Sequence, residues 1–368
     1  YGIYTQVEQL NKTALKSHGL DSNGQLYKIN SFEFYRYEDI IKKEDDAGYD
    51  KTAFEKMLEI KGDSDHTKLI DMLTDLNDYS IGIEDVLKEH FDEENIVYWM
   101  AFQILMGNVD TQNRNVYLYS PLNSDIWYFI AWDNDGCLMR PEYELRNFSD
   151  QNSWEKGISN YWGNILFQRC LKSRSFREKL NDAILDLREY LNKDMLTSKI
   201  ESYKNVLKPY LYLMPDAEYE PLTSEQYDQI AASLPDEIEK NYQLYLESLE
   251  TPMPFYIGVP TIDGDKLKFN WDVSYDLDAE DITYSVEVAR DYLFQDVIYQ
   301  NTTLTVPEAE MDLPNAGQYF VRVRATNTSG KTQDAFDYYV TDEGKHYGMK
   351  CFYITEDNTV EEDIYEEG

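Results

Sequence analysis

The segment DEENIVYWMAFQILMG, from Asp92 to Gly107, constrains the fold of this chain more than any other stretch. Its apolar residues fall on nearly every face of a helix, a pattern typical of a helix buried on all sides. We predict a helix over residues 84–107 that ends at Gly107, because glycine readily takes the left-handed conformation that closes helices. Such a helix needs a sizeable core around it, and a chain that is 42% hydrophobic can build one. The apolar residues behind this prediction are Ile96, Val97, Met100, Phe102, Ile104 and Leu105.

The rest of the first 250 residues mixes helices with a few strands. Residues 1–30 predict a strand, a short helix and a second strand, in YGIYTQVEQL, NKTALKSHGL and GQLYKIN. Residues 31–80 are charged and mainly helical in pattern, and residues 154–250 are helical again. Between them, NVYLYS and IWYFIAW flank the turn PLNSD and predict a β-hairpin. Residues 1–250 are therefore predicted to form an α+β domain.

After Pro252 and Pro254 the pattern changes to short alternating strands separated by Asp, Asn, Gly and Pro turns. Trp271, on an early strand and pointing inward, and the strand YFVRVRA are typical of a two-sheet sandwich of about 90 residues. Residues 255–342 resemble a fibronectin type III domain, which implies an all-β, immunoglobulin-like sandwich. The acidic residues 343–368 predict a C-terminal tail or linker.

The net charge of the chain limits the classes of molecule that it is expected to bind. The chain has 34 basic and 70 acidic residues, a net charge of −36 at pH 7. A field of this sign repels nucleic acids and anionic membranes, so we expect neither as a partner. It favours cations and basic proteins, or it serves only to keep an exported protein in solution. The three cysteines are scattered and predict neither a zinc site nor a disulfide framework, and no apolar run is long enough to span a membrane.

Two polar turns adjoin the most hydrophobic segments. The first, in MGNVDTQNRNVYLYS, holds Asp110 and, five positions later, Asn115; the second, in YFIAWDNDGCLM, begins at Asp133. A protein kinase needs this order, because one Asp orients the acceptor hydroxyl, an Asn on the same loop holds Mg²⁺, and a second Asp after a β-hairpin grips the Mg²⁺ that bridges the nucleotide phosphates. Asp and Asn supply the hard oxygen ligands that Mg²⁺ prefers. A kinase also needs a Lys on an earlier strand, and Lys28 in GQLYKIN is the candidate.

Other interpretations of the same residues stay open. Asp110, Asn113 and Asn115 could be ordinary turn residues, since Asn and Asp are favoured in turns. The stretch DNDG at 133–136 is similar to a calcium loop, but an EF-hand has Gly at its sixth position, whereas here Gly is fourth. Lys28 could be a solvated strand residue. The histidines are isolated, and nothing is similar to a Ser-His-Asp triad.

At these residues the chain resembles the CotH family of kinase-like proteins, named after a spore coat protein. The matching pieces are GIYTQVEQL, GQLYKI, GNVDTQNRNVYLY and IAWDNDG, in the family's order and covering roughly the first 250 residues. The resemblance implies an atypical protein-kinase-like fold that uses ATP and Mg²⁺ or Mn²⁺. It implies that Asp110 is the catalytic-loop Asp and that Lys28 contacts the nucleotide phosphates. Asn115 and Asp133 would be metal ligands, with Trp132 packed behind Asp133.

The chain also departs from the family pattern. Arg114 stands where the family usually has His, and the later Gly expected after WDND is absent. The chain opens without Met, in what resembles the middle of a strand, so we expect residues upstream of Tyr1, and with them part of the small lobe, to be missing. The Glu partner of Lys28 is left open between three residues, Glu38, Glu55 and Glu59.

Two function classes follow. The first, implied by the family, is an ATP- and metal-dependent protein kinase that phosphorylates Ser or Thr of an extracellular or spore-surface protein. The second is a non-catalytic module for adhesion or architecture on a kinase-like scaffold. The four site residues together favour the enzyme, because a site without function has no reason to keep all of them. The acidic surface and the appended sandwich favour an extracellular, cell-surface or spore-associated location for either class.

Overall fold

The computed structural model describes residues 3–146, 154–342 and 344–363. The chain divides into two compact units, Tyr1–Asn147 with Tyr161–Gln243 and Phe148–Asn160 with Leu244–Gly368. Helices and a sheet occur together in the first unit, whereas the second is built largely from strands. The predicted mixture of helix and sheet is confirmed, and the assignment of the domains stays a prediction.

Most helices belong to the first unit. Their bounds are α1 (Lys12–Ser17), α2 (Lys51–Met57), α3 (Thr67–Asn77), α4 (Ile83–His90), α5 (Glu93–Met106), α6 (Arg140–Leu145), α7 (Ile165–Lys172), α8 (Arg174–Tyr190), α9 (Lys193–Leu211), α10 (Ser224–Ser233) and α11 (Glu237–Glu250). Short 3-10 turns lie at Val109–Thr111, Asn134–Gly136, Ser159–Tyr161, Asp216–Glu218 and Leu234–Asp236. The helical prediction for residues 154–250 is confirmed by α7 to α11. Within the described ranges, no helix combines the length and the hydropathy needed to cross a membrane.

A four-stranded antiparallel sheet carries the loops of interest. Its strands are β1 (Gln25–Ile29), β2 (Leu58–Ile60), β3 (Val116–Ser120) and β4 (Tyr128–Ala131), in the order β2-β1-β3-β4. The predicted hairpin is present as β3 and β4, with Val116 opposite Ala131. The register also sets a cross-strand row, in which Lys28 lies opposite Glu59 on one side and Tyr117 on the other.

Helix α5 is the central helix that its all-round apolar surface predicts. Of the apolar residues behind that prediction, Phe102 is partly exposed and the others are buried. Gly107 ends the helix in the left-handed conformation, with φ 61° and ψ 30°, as predicted. The loop that follows therefore leaves from the buried end of the helix.

The helix does not extend back to residue 84, and the prediction of one helix over residues 84–107 was wrong there. Phe91 forms a β-bridge with Trp127, which pulls the chain into an extended conformation between α4 and α5. Asp92 then caps α5, because its side chain accepts a hydrogen bond from the Asn95 N–H at 2.9 Å. A tertiary contact and a cap thus divide a stretch whose apolar pattern is continuous.

Other predictions within the first 80 residues were also wrong. Residues 3–9 form no strand, because they are exposed and pair with no strand in the described part of the chain. Leu58–Ile60, assigned to a helix by its spacing, is β2, because its backbone pairs with β1. Residues 31–50 hold neither helix nor strand. The periodicity of apolar residues does not show which segments pair as strands.

The second unit is built on strands. Their bounds are β5 (Thr261–Asp263), β6 (Lys266–Asn270), β7 (Ile282–Ala289), β8 (Val297–Leu304), β9 (Glu308–Asp312), β10 (Gly317–Asn327), β11 (Thr332–Asp334), β12 (Tyr338–Thr341), β13 (Gly344–Tyr347), β14 (Met349–Ile354) and β15 (Val360–Glu362). A six-stranded sheet runs β15-β14-β10-β7-β8, with β11 also paired to β10. Strands β5, β6 and β9 form a three-stranded sheet, and β12 pairs with β13.

The two larger sheets of this unit share one core. Leu267 of β6 and Val286 of β7 are fully buried in the same apolar cluster. The rings of Phe269 and Phe352, one from each sheet, lie 6.0 Å apart. Trp271 is buried, as predicted. Two sheets packed on a common core agree with the alternating pattern of the sequence, whereas the closer likeness to a fibronectin type III domain stays a prediction.

The predicted acidic tail, residues 343–368, differs from the structure over its described part. Strand β14 lies beside β10 inside the six-stranded sheet, and β15 pairs with β14. Phe352 and Ile354 are buried in the core cluster of the unit. The prediction of a tail was wrong because it rested on the acidic charge of the whole segment. It did not take into account the apolar residues in MKCFYI, which form β14.

Candidate functional site

The loop from Asn108 to Asn115 joins the buried end of α5 to β3. It opens with the 3-10 turn Val109–Thr111, and the Asn108 side chain accepts from the Asp110 N–H at its start. It closes at Asn115, whose φ of 57° is left-handed. Asn tolerates this conformation better than most residues, so the loop can turn sharply into the strand.

Asp110 is held by its own loop. Its Oδ2 accepts a hydrogen bond from Asn115 Nδ2 at 2.7 Å, and its Oδ1 lies 2.8 Å from Arg114 Nε. The Asp110 side chain is 44% exposed, so the carboxylate can still be approached from solvent. Asp110 and Asn115, which the sequence predicts to share one site, are therefore in direct contact.

Asp133 follows β4 and lies at the same edge of the sheet. Because Val116 is opposite Ala131, the residues that precede β3 and those that follow β4 leave the sheet side by side. Asp133 adopts a left-handed conformation, with φ 55° and ψ 57°, and its side chain is exposed. A Cβ added to Gly136 would lie 3.8 Å from the Cβ of Asp110, so the turn after Asp133 packs against the loop. The two polar turns thus form one surface.

Lys28 lies one residue in from the same end of β1, since the next residue, Ile29, is opposite Val116. It shares a sheet face with Tyr117, whose ring meets that of Trp132 edge-on at 5.4 Å. Within the described ranges, Lys28 makes no hydrogen bond or ion pair with any of the other predicted site residues. The structure places Lys28 at the same end of the sheet as the loops, with no polar bond to Asp110, Asn115 or Asp133 among the described residues.

Of the three candidate partners of Lys28, Glu59 is its direct cross-strand neighbour. Side chains in such a position have Cβ atoms about 4.5–5.5 Å apart. The Glu59 carboxylate lies 2.5 Å from Lys61 Nζ. Burial, and to a smaller extent the charge of Glu59, raises the pKa of the Tyr117 hydroxyl above its usual value. A negative charge therefore accompanies Lys28 on this face.

The loop is braced from outside by residues that the sequence analysis did not single out. Glu33 accepts hydrogen bonds from Asn113 Nδ2 and from the Tyr37 hydroxyl, each at 2.5 Å. Asn164, buried at the start of α7, donates to the Gln112 carbonyl at 2.8 Å. No sequence signal marks Glu33, because an acidic residue in a charged segment is ordinary.

Gln103 and Asn134 were also missed. Gln103 is fully buried on α5, and its Nε2 donates to Asn134 Oδ1 at 3.2 Å. Asn108 Nδ2 donates to Gln103 Oε1 at 3.1 Å. An amide within the apolar run from Ile96 to Met106 was a signal that could have identified Gln103, since buried polar side chains need partners.

The turn after Asp133 contains a second left-handed residue. Leu138 takes a left-handed φ of 57°, a conformation that favours glycine, and its N–H donates to the Met106 carbonyl at 2.8 Å. Burial raises the pKa of the Cys137 thiol to about 12, with a smaller opposite effect from a hydrogen bond to Asn108. Cys137 is therefore a protonated thiol rather than a nucleophile at neutral pH.

The oxygen atoms at this surface suit Mg²⁺. In the part of the chain that the structure describes, nothing donates a hydrogen bond to Asn115 Oδ1 or to the Asp133 carboxylate. No three His, Cys, Asp or Glu residues of that part are grouped so as to hold a metal ion. Mg²⁺ is usually held by one or two carboxylates together with substrate phosphates and waters, so the small donor set fits it.

Comparison with protein families identifies the family to which this site belongs. The family model described as "CotH kinase protein" matches residues 1–245, which include the sheet, α5 and both polar turns. The resemblance inferred from the motifs is confirmed over this range. A search of the curated proteins found no match to the chain. Because the match covers most of the chain, the protein belongs to the CotH kinase family.

Proposed function

We propose that this chain carries the phosphotransferase site of a protein kinase, which transfers a phosphoryl group from ATP to Ser or Thr of a protein and requires Mg²⁺ or Mn²⁺. The observation that supports it best is the contact between Asp110 and Asn115 on one loop, beside the turn that carries Asp133. An acceptor-facing carboxylate and a metal-binding amide on the same loop are what phosphoryl transfer requires.

Asp110 would orient the acceptor hydroxyl and accept its proton. Its carboxylate is half exposed, and the hydrogen bond from Asn115 fixes the orientation of one oxygen. The other oxygen is paired with Arg114, which is itself 49% exposed and so can turn away when an acceptor enters. A proton acceptor must lie within hydrogen-bond reach of the hydroxyl, and these constraints keep Asp110 at the surface of the site.

Asn115 Oδ1 and the Asp133 carboxylate would hold the metal ion, and Lys28 would neutralise the phosphates. A bound Mg²⁺ neutralises charge on the phosphates and orients them for in-line transfer. The chain offers few ligands, so positioning and charge neutralisation would supply most of the rate. Lys28 lies on the sheet face at the same end as the turns, and its long side chain would reach the phosphates from there.

Two substitutions separate these roles. Asp133→Ala should abolish metal-dependent ATP binding, because it removes the carboxylate that would hold the metal ion. Asp110→Ala should leave ATP binding largely intact and lower phosphoryl transfer by about 10²-fold or more, since Asp110 faces the acceptor. Calorimetric titration of ATP with Mg²⁺ measures binding, and transfer of labelled phosphate to a protein acceptor measures the reaction.

Asp71→Ala is a matched control, because Asp71 is an exposed carboxylate on α3, away from both turns. It should bind ATP and transfer phosphate like the parent. If Asp133→Ala binds ATP with Mg²⁺ as tightly as the parent, the assignment of the metal ligands is wrong. If the parent binds no nucleotide at all, the enzymatic proposal fails.

One observation favours the alternative, a non-catalytic surface module. The ion pair between Arg114 and Asp110 occupies the oxygen that an acceptor would need. A site used only as scaffold could keep this pair permanently. Arg114→His, which restores the residue usual in the family, should increase transfer if the pair is a resting state, and it should leave an inert scaffold inert.

The second unit would serve as a fibronectin type III-like module in an extracellular, cell-surface or spore-associated protein. The Tyr319 hydroxyl, near the start of β10, donates to the Asn315 carbonyl at 2.8 Å. A Tyr that bonds back to the backbone a few residues upstream is typical of immunoglobulin-like sandwiches. The strand orders β5-β6-β9 and β14-β10-β7-β8 support the same architecture.

A further inference from the structure

Three side-chain amides connect the loop of Asp110 to the turn of Asp133. Asn134 Oδ1, directly after Asp133, accepts from Gln103 Nε2 at 3.2 Å and from Asn108 Nδ2 at 3.4 Å. The third contact, from Asn108 Nδ2 to Gln103 Oε1 at 3.1 Å, closes the triangle. We call Gln103, Asn108 and Asn134 the amide bridge.

The orientation of Asn108 in this bridge follows from its neighbours. The N–H of Asp110 donates to Asn108 Oδ1 at 3.4 Å, so this edge of the amide must be the oxygen. The Nδ2 edge therefore faces Gln103 and Asn134, both of which present an oxygen to it. One rigid amide thus contacts the backbone of Asp110 on one side and the turn of Asp133 on the other.

The bridge is buried at its inner end. Gln103 is 0% exposed and Asn108 is 1% exposed, whereas Asn134 lies at the surface. The two loops also touch, because a Cβ added to Gly136 would come within 2.7 Å of Asn108 Oδ1. Buried amides in a low-dielectric setting hold their partners more strictly than exposed ones do, since no water replaces a lost hydrogen bond.

We propose that the amide bridge couples the two turns, so that the position of the Asp133 turn sets the position of Asp110. Gln103, Asn108 and Asn134 are positioning residues, because their amides bond to one another and none of them is assigned to metal, nucleotide or acceptor. The coupling of metal binding to Asp110 rests on the proposed phosphotransferase function, but the mechanical link between the turns does not.

The sequence of events follows from the contacts. A metal ion held at Asp133 would fix the adjoining residue, Asn134, and Asn134 would hold Asn108 through its oxygen. Asn108 would in turn hold the N–H of Asp110. Nucleotide binding would then place Asp110 for the acceptor, and a chain without the bridge would bind metal and acceptor independently.

Cys137 gives a direct readout of the link in the ligand-free chain. It lies in the same turn and hydrogen-bonds to Asn108, and burial keeps its thiol protonated. Asn134→Leu removes both hydrogen bonds from the turn to the bridge, and Gln103→Met removes the two that Gln103 makes but keeps the one between Asn108 and Asn134. We expect Asn134→Leu to raise the rate of Cys137 alkylation about tenfold or more, and Gln103→Met to raise it less, because lost hydrogen bonds favour the opening of the turn. Mass spectrometry of the alkylated peptides separates Cys137 from Cys170 and Cys351.

Two further variants are controls. Asn95→Leu removes another pair of hydrogen bonds from α5 to the sheet, to the Phe129 N–H and carbonyl, and does not touch either turn. It should leave Cys137 alkylation near the parental rate even if it lowers stability. Asn134→Asp keeps an oxygen that accepts from Gln103 and Asn108, so it should restore the slow rate.

Calorimetry tests whether the link between the turns affects the binding of ATP with Mg²⁺. In Asn134→Leu the metal ligands remain, and we expect the Kd for ATP with Mg²⁺ to rise about tenfold, with Asn134→Asp close to the parent. If Asn134→Leu alkylates as slowly as the parent, or if Asn95→Leu is as fast as Asn134→Leu, the amide bridge does not couple the turns. If alkylation changes as expected but the parent binds no nucleotide, the link stands and the proposed function fails.

Discussion

Backbone conformation at single residues shapes the candidate site. Asn115, Asp133 and Leu138 all adopt a left-handed conformation, with φ values of 57°, 55° and 57°. Asn and Asp tolerate it because their short polar side chains bond locally, whereas Leu pays a steric penalty. Such residues persist only where surrounding contacts impose them, and they cluster at functional sites. Their presence in both polar turns agrees with a site whose geometry is imposed by the fold.

His66 is a second residue whose environment decides its chemistry. It is 1% exposed. The Tyr27 hydroxyl lies 2.8 Å from its Nδ1, and the Tyr49 hydroxyl lies 3.4 Å from its Nε2. The ring centroids of Phe54 and His66 are 4.2 Å apart. Burial lowers the pKa of His66 below its usual value. The charges of nearby acidic residues oppose this shift without cancelling it; they are Glu44, Asp65 and Asp63.

We predict that His66 makes the fold less stable at acidic pH. Because the pKa of His66 is lower in the folded state, the unfolded chain binds the proton more readily. The stability gained by burying the neutral His66 is therefore complete above the unfolded pKa of about 6.5, and it is lost as the pH falls below that value. Urea unfolding of the parent and of His66→Gln between about pH 5 and 7.5 measures the difference in slope. His18→Gln is the control, since His18 is exposed; an equal change of slope in both variants would contradict the prediction.

Helix α5 is the element that links the core to the site. It packs against α8 and β4, and its C-terminal end carries the loop of Asp110. Asn241 of α11 donates to the Leu105 carbonyl at 2.9 Å and is held by Arg140 at 2.5 Å. The carbonyl that the helix leaves unpaired near its end is thereby satisfied, which fixes where the loop begins.

We predict that Gly107→Ala destabilises the first unit more than the same substitution at a left-handed glycine that has no close neighbours. The backbone conformation alone costs about 1–2 kcal/mol for a residue with a Cβ. A Cβ at Gly107 would also come within 2.7 Å of Asn241 Nδ2 and disturb its hydrogen bond, a further ~1 kcal/mol. Gly19→Ala is the matched control, because Gly19 has a φ of 73° and nothing within 4 Å. Denaturant unfolding that gives equal losses for both would refute the role of Asn241.

At the scale of the whole molecule, charge is the dominant feature. The excess of 70 acidic over 34 basic residues leaves a net charge of −36, which cannot be neutralised internally. Many of the ion pairs join exposed side chains, for example Arg174 with Glu178 and Lys193 with Asp236, and such pairs contribute little each. Self-repulsion among the unpaired carboxylates therefore opposes the compact state.

We predict that added salt stabilises the chain. Raising NaCl from about 0.01 M to about 0.15 M shortens the screening length from roughly 30 Å to 8 Å, which weakens the long-range repulsion more than the short ion pairs. Differential scanning calorimetry should give a higher Tm at the higher salt concentration. An uncharged solute at equal osmolality is the control, and a Tm that falls with salt would mean that the ion pairs outweigh the net charge.

The central helix and the motif residues could be predicted because each depends on local information. The end of α5 follows from Gly107, and the contact of Asp110 with Asn115 follows from a spacing of five in a short loop. The roles of Lys28, Asp110, Asn115 and Asp133 stay predictions. The break before α5 could not be predicted, because it depends on Phe91 meeting Trp127, a residue far along the chain.

The sequence by itself determined the family, the alternation of helical and strand regions, and which polar residues adjoin the core, since apolar periodicity and short motifs are local properties. Only the tertiary structure decided that Glu59 is opposite Lys28, that Glu33 holds Asn113, and that Gln103 and Asn108 meet Asn134. These are contacts between segments distant in sequence. Their partners are chosen by sheet register and by the need to satisfy buried polar groups, which no single stretch of the chain encodes.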